Sequence, residues 1–189
     1  NDKESEMKNQ TDGYAMDNGW CWTIPLWENI GKGYVYSSKF CGKDQAEQEF
    51  RKHVDWGGDV EHIKFKHGKR RLGWCQNVIG IGLSYGFLEP LESTGLFTTH
   101  ENILRLVDTF ERRDGHITQI DIDGYNHAVS YELEAMKEFV ECHYYLSPRT
   151  DTEYWRFHTN RSPLTYEQMF DKLIRSPRMY QELLHCWNI

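Results

Sequence analysis

The sequence feature that most constrains the fold is a stretch from Asn77 to Leu96 that is punctuated by glycine and proline. It begins with the apolar run Val78–Leu83, whose length and β-branched content predict a buried strand. Three glycines in this stretch allow tight backbone turns and close approach to a ligand: Gly80, Gly82 and Gly86. Pro90 favours a helix start, and Glu92 falls in the predicted first turn, where the helix dipole favours negative charge. We therefore expect a strand, a turn and a helix N-terminus, which together suit an anionic ligand.

The bulk composition excludes several classes of protein. The 189 residues suffice for one domain with a core, and the 22 basic and 29 acidic residues give a net charge of −7. This balance argues against nucleic-acid binding, which needs a basic surface. The five cysteines form no close-spaced pair, which predicts reduced thiols in a cytoplasmic protein. We find no apolar run long enough to span a membrane and no signal peptide, so we expect no membrane association.

The first half of the chain predicts antiparallel strands. Residues 1–17 are polar and predict a loop or a frayed terminus. The alternation of Trp20, Trp22 and Ile24 has the period of a strand that ends at Pro25. Gly31-Lys32-Gly33 predicts a tight turn, and the strand-like segment after it would complete a hairpin.

The second half predicts helices. One earlier helix is expected over Asp44–His53. A second has an apolar face made of Leu96, Ile103, Leu104, Val107 and Phe110. A longer one covers Tyr125–Tyr145, and Ser162 and Ser176 begin two short terminal helices. We expect an α+β fold, with a strand-rich part over residues 1–100 and a helical part over 101–189, together forming one incomplete domain.

A metal site is not expected. His62 and His67 lie near each other in the sequence, but no carboxylates or thiols accompany them at ligand spacing. We therefore assign no metal ligand.

Two motifs resemble those of a known enzyme family. The first is Trp20-x-Trp22-x-Ile24-Pro25, and the second is the run Phe87–Gly95, which reads Phe-Leu-Glu-Pro-Leu-Glu-Ser-Thr-Gly. Both are highly similar to motifs of the flavin-dependent tryptophan halogenases. The similarity extends from about Trp20 to Trp155, and it implies part of the flavin monooxygenase-like, FAD/NAD(P)-binding halogenase fold.

The resemblance implies a set of site residues. Glu92 matches the catalytic glutamate of the family, and Ser93 matches the serine beside it. The family's halide-binding backbone amides correspond to Thr94 and Gly95. Positions that would contact the flavin are Gly82, Leu83 and Leu96. The tunnel motif between flavin and substrate would be lined by Trp20, Trp22, Ile24 and Pro25.

The resemblance also implies the reaction and its partners. Reduced flavin, FADH2, and O2 would oxidise chloride or bromide, and the product would halogenate an electron-rich aromatic such as an indole. A separate flavin reductase would supply the FADH2, and the oligomeric state is left open between monomer and homodimer. The nearest alternative is a flavin-dependent monooxygenase on the same scaffold, against which Trp20 and Trp22 argue.

Two features of the family have no counterpart in this sequence. The Gly-x-Gly-x-x-Gly fingerprint for the dinucleotide is absent, because Gly31-x-Gly33 and Gly80-x-Gly82 each lack the third glycine. No residue matches the family's essential lysine. A second alternative is therefore an inert truncated fragment, and we expect the isolated chain to bind flavin weakly and to be inactive.

Overall fold

The computed structural model describes residues 10–55 and 57–160. The chain divides into two compact units. The described part of the first unit comprises residues 10–55, 57–64 and 145–160, and that of the second comprises residues 65–144. The sequence predicted one incomplete domain with a strand-rich part up to residue 100 and a helical part after it, and this organisation stays a prediction.

The first unit contains a three-stranded antiparallel sheet. Its strands are β1 (Asp12–Met16), β2 (Gly19–Pro25) and β3 (Ile30–Tyr36), in the order β1-β2-β3. The predicted loop over residues 1–17 is therefore wrong where β1 forms. Most side chains of β1 are exposed, so this edge strand carries no apolar signal in the sequence.

The predicted turn at Gly31-Lys32-Gly33 is also wrong, because these residues lie within β3. The hairpin itself is confirmed, but its connection turns earlier, where Leu26 N–H donates to the Asn29 carbonyl at 2.8 Å. Gly33 pairs directly with Trp22 across the sheet. A Cβ added at Gly33 would lie 2.3 Å from Cζ2 of that indole, so the glycine makes room for the ring.

A helix packs on one face of this sheet. The expected helix is confirmed as α1 (Lys43–Val54), and its Phe50 forms a small core with Met16 and Cys21. Burial raises the pKa of the Cys21 thiol to about 11, with minor opposing effects from Lys32 and a backbone contact. Cys21 is thus an inert core residue.

The segment after residue 145 forms hydrogen bonds with the β1–β2 turn of the same unit. The Arg149 guanidinium donates to the Ala15 carbonyl at 2.6 Å and the Met16 carbonyl at 3.0 Å. The Trp155 indole donates to the Met16 carbonyl at 2.7 Å. Thr152 caps the short helix α4 (Glu153–Thr159) by accepting from the Trp155 amide.

The second unit begins with four two-residue strands: β4 (Gly68–Lys69), β5 (Trp74–Cys75), β6 (Val78–Ile79) and β7 (Gly86–Phe87). β4 pairs with β7 and β5 with β6, both antiparallel. The predicted buried strand over Val78–Leu83 is wrong, since pairing ends at Ile79 and Val78 is 66% exposed. Gly82, at φ +60°, starts a 3₁₀ helix (Gly82–Ser84) that ends the extended run.

A 3₁₀ helix (Pro90–Glu92) and two long helices, α2 (Thr94–Arg112) and α3 (Gln119–Tyr145), follow. The predicted start of α2 at Pro90 is wrong, because Ser93 in the left-handed conformation separates the 3₁₀ helix from α2, and Glu92 therefore precedes the first turn of α2. The predicted long helix is confirmed as α3 and begins earlier than expected. Its inner face joins a core consisting of Trp74, Tyr85, Tyr125, Val129 and Leu133.

The predicted apolar face of α2 is not its buried face. The buried residues of α2 are Thr94, Thr98, Asn102 and Thr109. The apolar residues Leu96, Ile103, Leu104, Val107 and Phe110 are between 40% and 86% exposed. Tertiary packing in the described residues therefore covers the small polar side of this helix.

The α+β prediction is confirmed, with small antiparallel sheets preceding the long helices. The two terminal helices expected at Ser162 and Ser176 lie outside the described residues. Among helices of residues 10–160 that the structure describes, none has the length and hydropathy needed to cross a bilayer.

Candidate functional site

The candidate site in the second unit is built on the turn that carries Glu92. Pro90 occupies the first position of its 3₁₀ helix, where a missing N–H has no consequence. Ser93 closes the turn in the left-handed conformation, at φ 53° and ψ 27°, and its N–H donates to the Pro90 carbonyl at 3.1 Å. Non-glycine residues rarely adopt this conformation, and it is concentrated at functional sites.

The helix α2 begins immediately after this turn without a side-chain cap. Ser93 occupies the cap position, and its hydroxyl makes no capping hydrogen bond. The first amides of α2, which belong to Thr94 and Gly95, are therefore donors at the positive end of a helix dipole. Thr94 is buried, whereas Gly95 is exposed and has open space where a Cβ would lie. An anion could approach these amides from the Gly95 side.

The Glu92 carboxylate lies against His143, in the last turn of α3. Oε1 of Glu92 is 2.8 Å from Nε2 of His143, but the oxygen lies off the line of the ring N–H, so the contact is an ion pair. Nδ1 of His143 is 3.0 Å from the Phe139 carbonyl, to which it must donate. Because both ring nitrogens face oxygen acceptors, the arrangement favours the imidazolium.

The electrostatics of His143 follow from this geometry. Burial by itself would lower the pKa of His143, but contact with Glu92 and with the Phe139 and Val140 carbonyls raises it above its ordinary value of 6.5. The position of His143 at a helix C-terminus acts in the same direction. No role for His143 was predicted from the sequence; the only available signal was that His143-Tyr144-Tyr145 lies within the region of family resemblance.

A second contact fixes the residue that precedes the turn. Glu89 is buried, with 8% of its surface exposed, and the Tyr144 hydroxyl donates to its Oε1. Its other oxygen lies 3.9 Å from Nε2 of His67. Two successive residues of α3, His143 and Tyr144, therefore hold the two carboxylates that flank Pro90 and Leu91.

The residues expected to contact a flavin lie near the start of α2. Gly82 packs so closely on α2 that an added Cβ would lie 2.9 Å from Oγ1 of Thr99. Leu83 and Leu96 are 80% and 86% exposed. The structure therefore presents apolar side chains beside the uncapped helix start, a surface that would suit a planar ring system.

The tryptophan motif belongs to the first unit and occupies β2. Trp20 is 5% exposed, and its indole N–H has no hydrogen-bond partner among the described residues. Trp22 lies over Gly33, and Ile24 and Pro25 are partly buried at the end of the strand. Pro25 lies beyond the residues of β2 that pair with β1, the last of which is Thr23, and it pairs only with Ile30 of β3. The N–H that proline lacks can therefore affect only the pairing with β3.

Residues that could hold a metal ion are not grouped in the described part of the chain. No three side chains of histidine, cysteine, aspartate or glutamate converge there. His62 instead contacts Oε2 of Glu47 at 2.9 Å, and His67 stacks on Phe65.

Comparison with known proteins identifies the family. The tryptophan halogenase family profile matches residues 1–188. The tryptophan 6-halogenase SttH of Streptomyces toxytricini is 43% identical over 145 residues, covering 75% of this chain and 27% of SttH.

Solved structures give the same answer. The VirX1 apo structure superposes with a TM-score of 0.79 at 48% identity, covering 88% of this chain and 34% of that one. Tar14, a tryptophan C-6 flavin-dependent halogenase (chlorinase) from taromycin biosynthesis, gives a TM-score of 0.76 at 37% identity, covering 84% of this chain and 32% of Tar14. The chain thus spans about a third of the length of these relatives. It belongs to the flavin-dependent tryptophan halogenase family.

Proposed function

We propose that this chain supplies the catalytic glutamate and the halide-binding turn of an FADH2- and O2-dependent halogenase. The substrate class is an electron-rich aromatic such as the indole of tryptophan, and the halide is chloride or bromide. The similarity to SttH, a tryptophan 6-halogenase, and to Tar14, a tryptophan C-6 flavin-dependent halogenase, supports this choice.

The observation that carries the proposal is the junction between Glu92 and α2. A carboxylate held by His143 stands two residues before an uncapped helix N-terminus. The amides of Thr94 and Gly95 offer hydrogen bonds and dipole charge to a small anion. A single turn of backbone therefore combines a halide cradle with a proton-accepting carboxylate.

The role of Glu92 follows from the chemistry of aromatic halogenation. Attack of an electron-rich ring on an electrophilic halogen leaves a cationic intermediate that must lose a ring proton. A nearby carboxylate stabilises that cation and accepts its proton. His143 acts as a positioning residue, because its contact at 2.8 Å limits the rotamers of Glu92. Ser93 sets the turn through its left-handed backbone.

The flavin-binding assignment fits the described residues. Leu83 and Leu96 would contact the flavin ring. Gly82 is assigned with them from the family motif, and its close packing on Thr99 of α2 would hold the adjacent Leu83 in place. When bound, the reduced flavin would supply two of the four electrons that O2 accepts, and the halide would lose the other two as it is oxidised. The chain's own contribution is to hold the halide near the Thr94 and Gly95 amides.

The tunnel assignment concerns β2. We assign Trp20, Trp22, Ile24 and Pro25 to the wall of a passage that the oxidised halogen crosses and the aromatic substrate does not. Support comes from the rigidity of the segment: Trp20 is buried, and Trp22 lies in the space left by Gly33. Bulky, fixed rings would exclude an organic substrate from the flavin, which favours halogenation over hydroxylation.

Partners and compartment remain part of the proposal. A separate flavin reductase would deliver FADH2, and either a monomer or a homodimer is compatible with the site. The cysteines Cys21, Cys41, Cys75 and Cys142 are all free thiols, which supports a cytoplasmic location.

The test uses the complete open reading frame to which this chain belongs. Incubation with tryptophan, FADH2, O2 and bromide should give a brominated product by mass spectrometry. The variant Glu92→Gln should lower kcat by about 10²-fold or more, as expected for loss of a catalytic acid–base group. Glu101→Gln, on the helix α2 that follows the Glu92 turn, is the matched control and should retain activity. A hydroxylated product, or no product at all, would reject the halogenase assignment in favour of a monooxygenase or an inert protein.

A further inference from the structure

A separate cavity lies in the second unit, between the C-terminal half of α2 and the N-terminal half of α3. Its volume is about 610 Å³, within the size range of small-molecule sites. Three arginines line it: Arg105, Arg112 and Arg113. The remaining wall includes the polar Thr109 and the acidic Asp121, together with Ile120, Gly124 and Ala128, which are small or apolar. Three guanidinium groups against one carboxylate leave the lining positively charged. The chain as a whole carries a net charge of −7, so three guanidinium groups around one cavity contrast with their surroundings.

The arginines keep donors available beyond their existing contacts. Arg112 pairs with Asp108 at 2.6 Å, and Arg113 uses Nε to bind Asp121 at 2.7 Å. Arg105 is only at the limit of contact with Glu132, at 3.9 Å, and its buried Nε has no hydrogen-bond partner among the described residues. Each guanidinium has five N–H groups in a fixed fork, so these contacts leave most of the donors for a ligand.

A buried tyrosine also lines the cavity. Tyr125 is 2% exposed, and its hydroxyl has no hydrogen-bond partner among the described residues. Its ring packs edge-on against Trp74, with centroids 5.6 Å apart. Burial raises the pKa of Tyr125, while the nearby positive charge of Arg105 opposes that shift. An unpaired buried hydroxyl is unfavourable unless something occupies the site.

We propose that this cavity binds a small organic molecule through its phosphate group. Planar guanidinium forks bind phosphate oxygens in pairs. The walls at Ile120 and Ala128 would hold the organic part of the ligand. The cavity shares no lining residue with the Glu92 turn, so the proposal is independent of the halogenation chemistry.

The test titrates the full chain with inorganic phosphate and with phenyl phosphate, monitored by isothermal calorimetry. Both should bind saturably, and phenyl phosphate should bind more tightly because of the apolar wall. Arg112→Gln should weaken phenyl phosphate by about tenfold, the effect of losing one charged hydrogen bond. Arg112 is largely exposed, so this change should leave folding intact. Tyr125→Phe should weaken binding without lowering the stability of the ligand-free chain.

The matched control is Lys137→Gln, which removes one exposed positive charge from α3 outside the cavity. It should leave both affinities unchanged. Benzoate serves as the carboxylate counterpart of phenyl phosphate, and it should bind more weakly. The proposal is overturned if neither phosphate compound binds saturably. Equal loss of affinity in Arg112→Gln and Lys137→Gln would also overturn it, because binding would then reflect net charge alone.

Discussion

The close contact between the Trp22 indole and Gly33 allows a quantitative test of side-chain packing in the first unit. In Gly33→Ala, the new Cβ would lie 2.3 Å from Cζ2 and 2.6 Å from Nε1 of Trp22. Ordinary carbon contacts need about 3.5 Å, so the indole must turn away from β3. Overpacking of this kind costs about 1–3 kcal/mol of unfolding free energy.

The sheet provides its own control for this variant. Gly13, on β1, pairs with the other side of Trp22, but nothing lies within 4 Å of a Cβ built there. Gly13→Ala should therefore be neutral or should stabilise by about 0.4–1 kcal/mol, through the reduced entropy of the unfolded chain. The two variants change the same residue type, opposite the same tryptophan, in the two strands that flank β2.

Urea unfolding followed by tryptophan fluorescence measures both variants. A double-mutant cycle with Trp22→Phe then isolates the contact, since phenylalanine lacks the indole atoms nearest to Gly33. Gly33→Ala should be less destabilising in the Trp22→Phe background. If Gly33→Ala is as stable as Gly13→Ala, the indole does not occupy the space above Gly33 and the account of this sheet is wrong.

Four further outcomes are expected. Glu92→Gln should lower the pKa of His143, measured by NMR titration of its ring protons, because the carboxylate is the main group that raises it; an unchanged pKa would contradict the ion pair. Since the folded pKa of His143 is raised, the pair should stabilise the second unit fully below the ordinary pKa of 6.5, and that contribution should vanish as pH rises through the folded pKa. Arg149→Gln should destabilise the first unit by about 1.5–3 kcal/mol in urea melts, because its charged hydrogen bonds to Ala15 and Met16 are lost, whereas the exposed Lys52→Gln should have no effect. Thr152→Ala should cost about 1 kcal/mol, because it removes the α4 cap and the hydrogen bond from the Thr152 hydroxyl to the Asp17 carbonyl, and an unaltered unfolding midpoint would show that both contacts are dispensable.

Local sequence signals predicted the helices better than the short strands. α1 and α3 follow from apolar spacing over several turns, and both were confirmed. The two-residue strands are too short for any periodicity to show, and β1 was missed because most of its side chains are exposed and give no apolar alternation. The glycines of β3 looked like a turn because their partner, Trp22, lies across the sheet and not beside them in the sequence.

The candidate site was also predictable only in part: its local features were, and its contacts between separate elements were not. The sequence alone supplied the family motifs and predicted a helix start at Pro90, because these depend on neighbours within a few residues; the structure places a 3₁₀ helix there and begins α2 only at Thr94. Only the tertiary structure decided that His143 holds Glu92, that Tyr144 holds Glu89 and that α2 buries its polar side. Such contacts join residues of separate elements, and their energies depend on packing that no local pattern encodes.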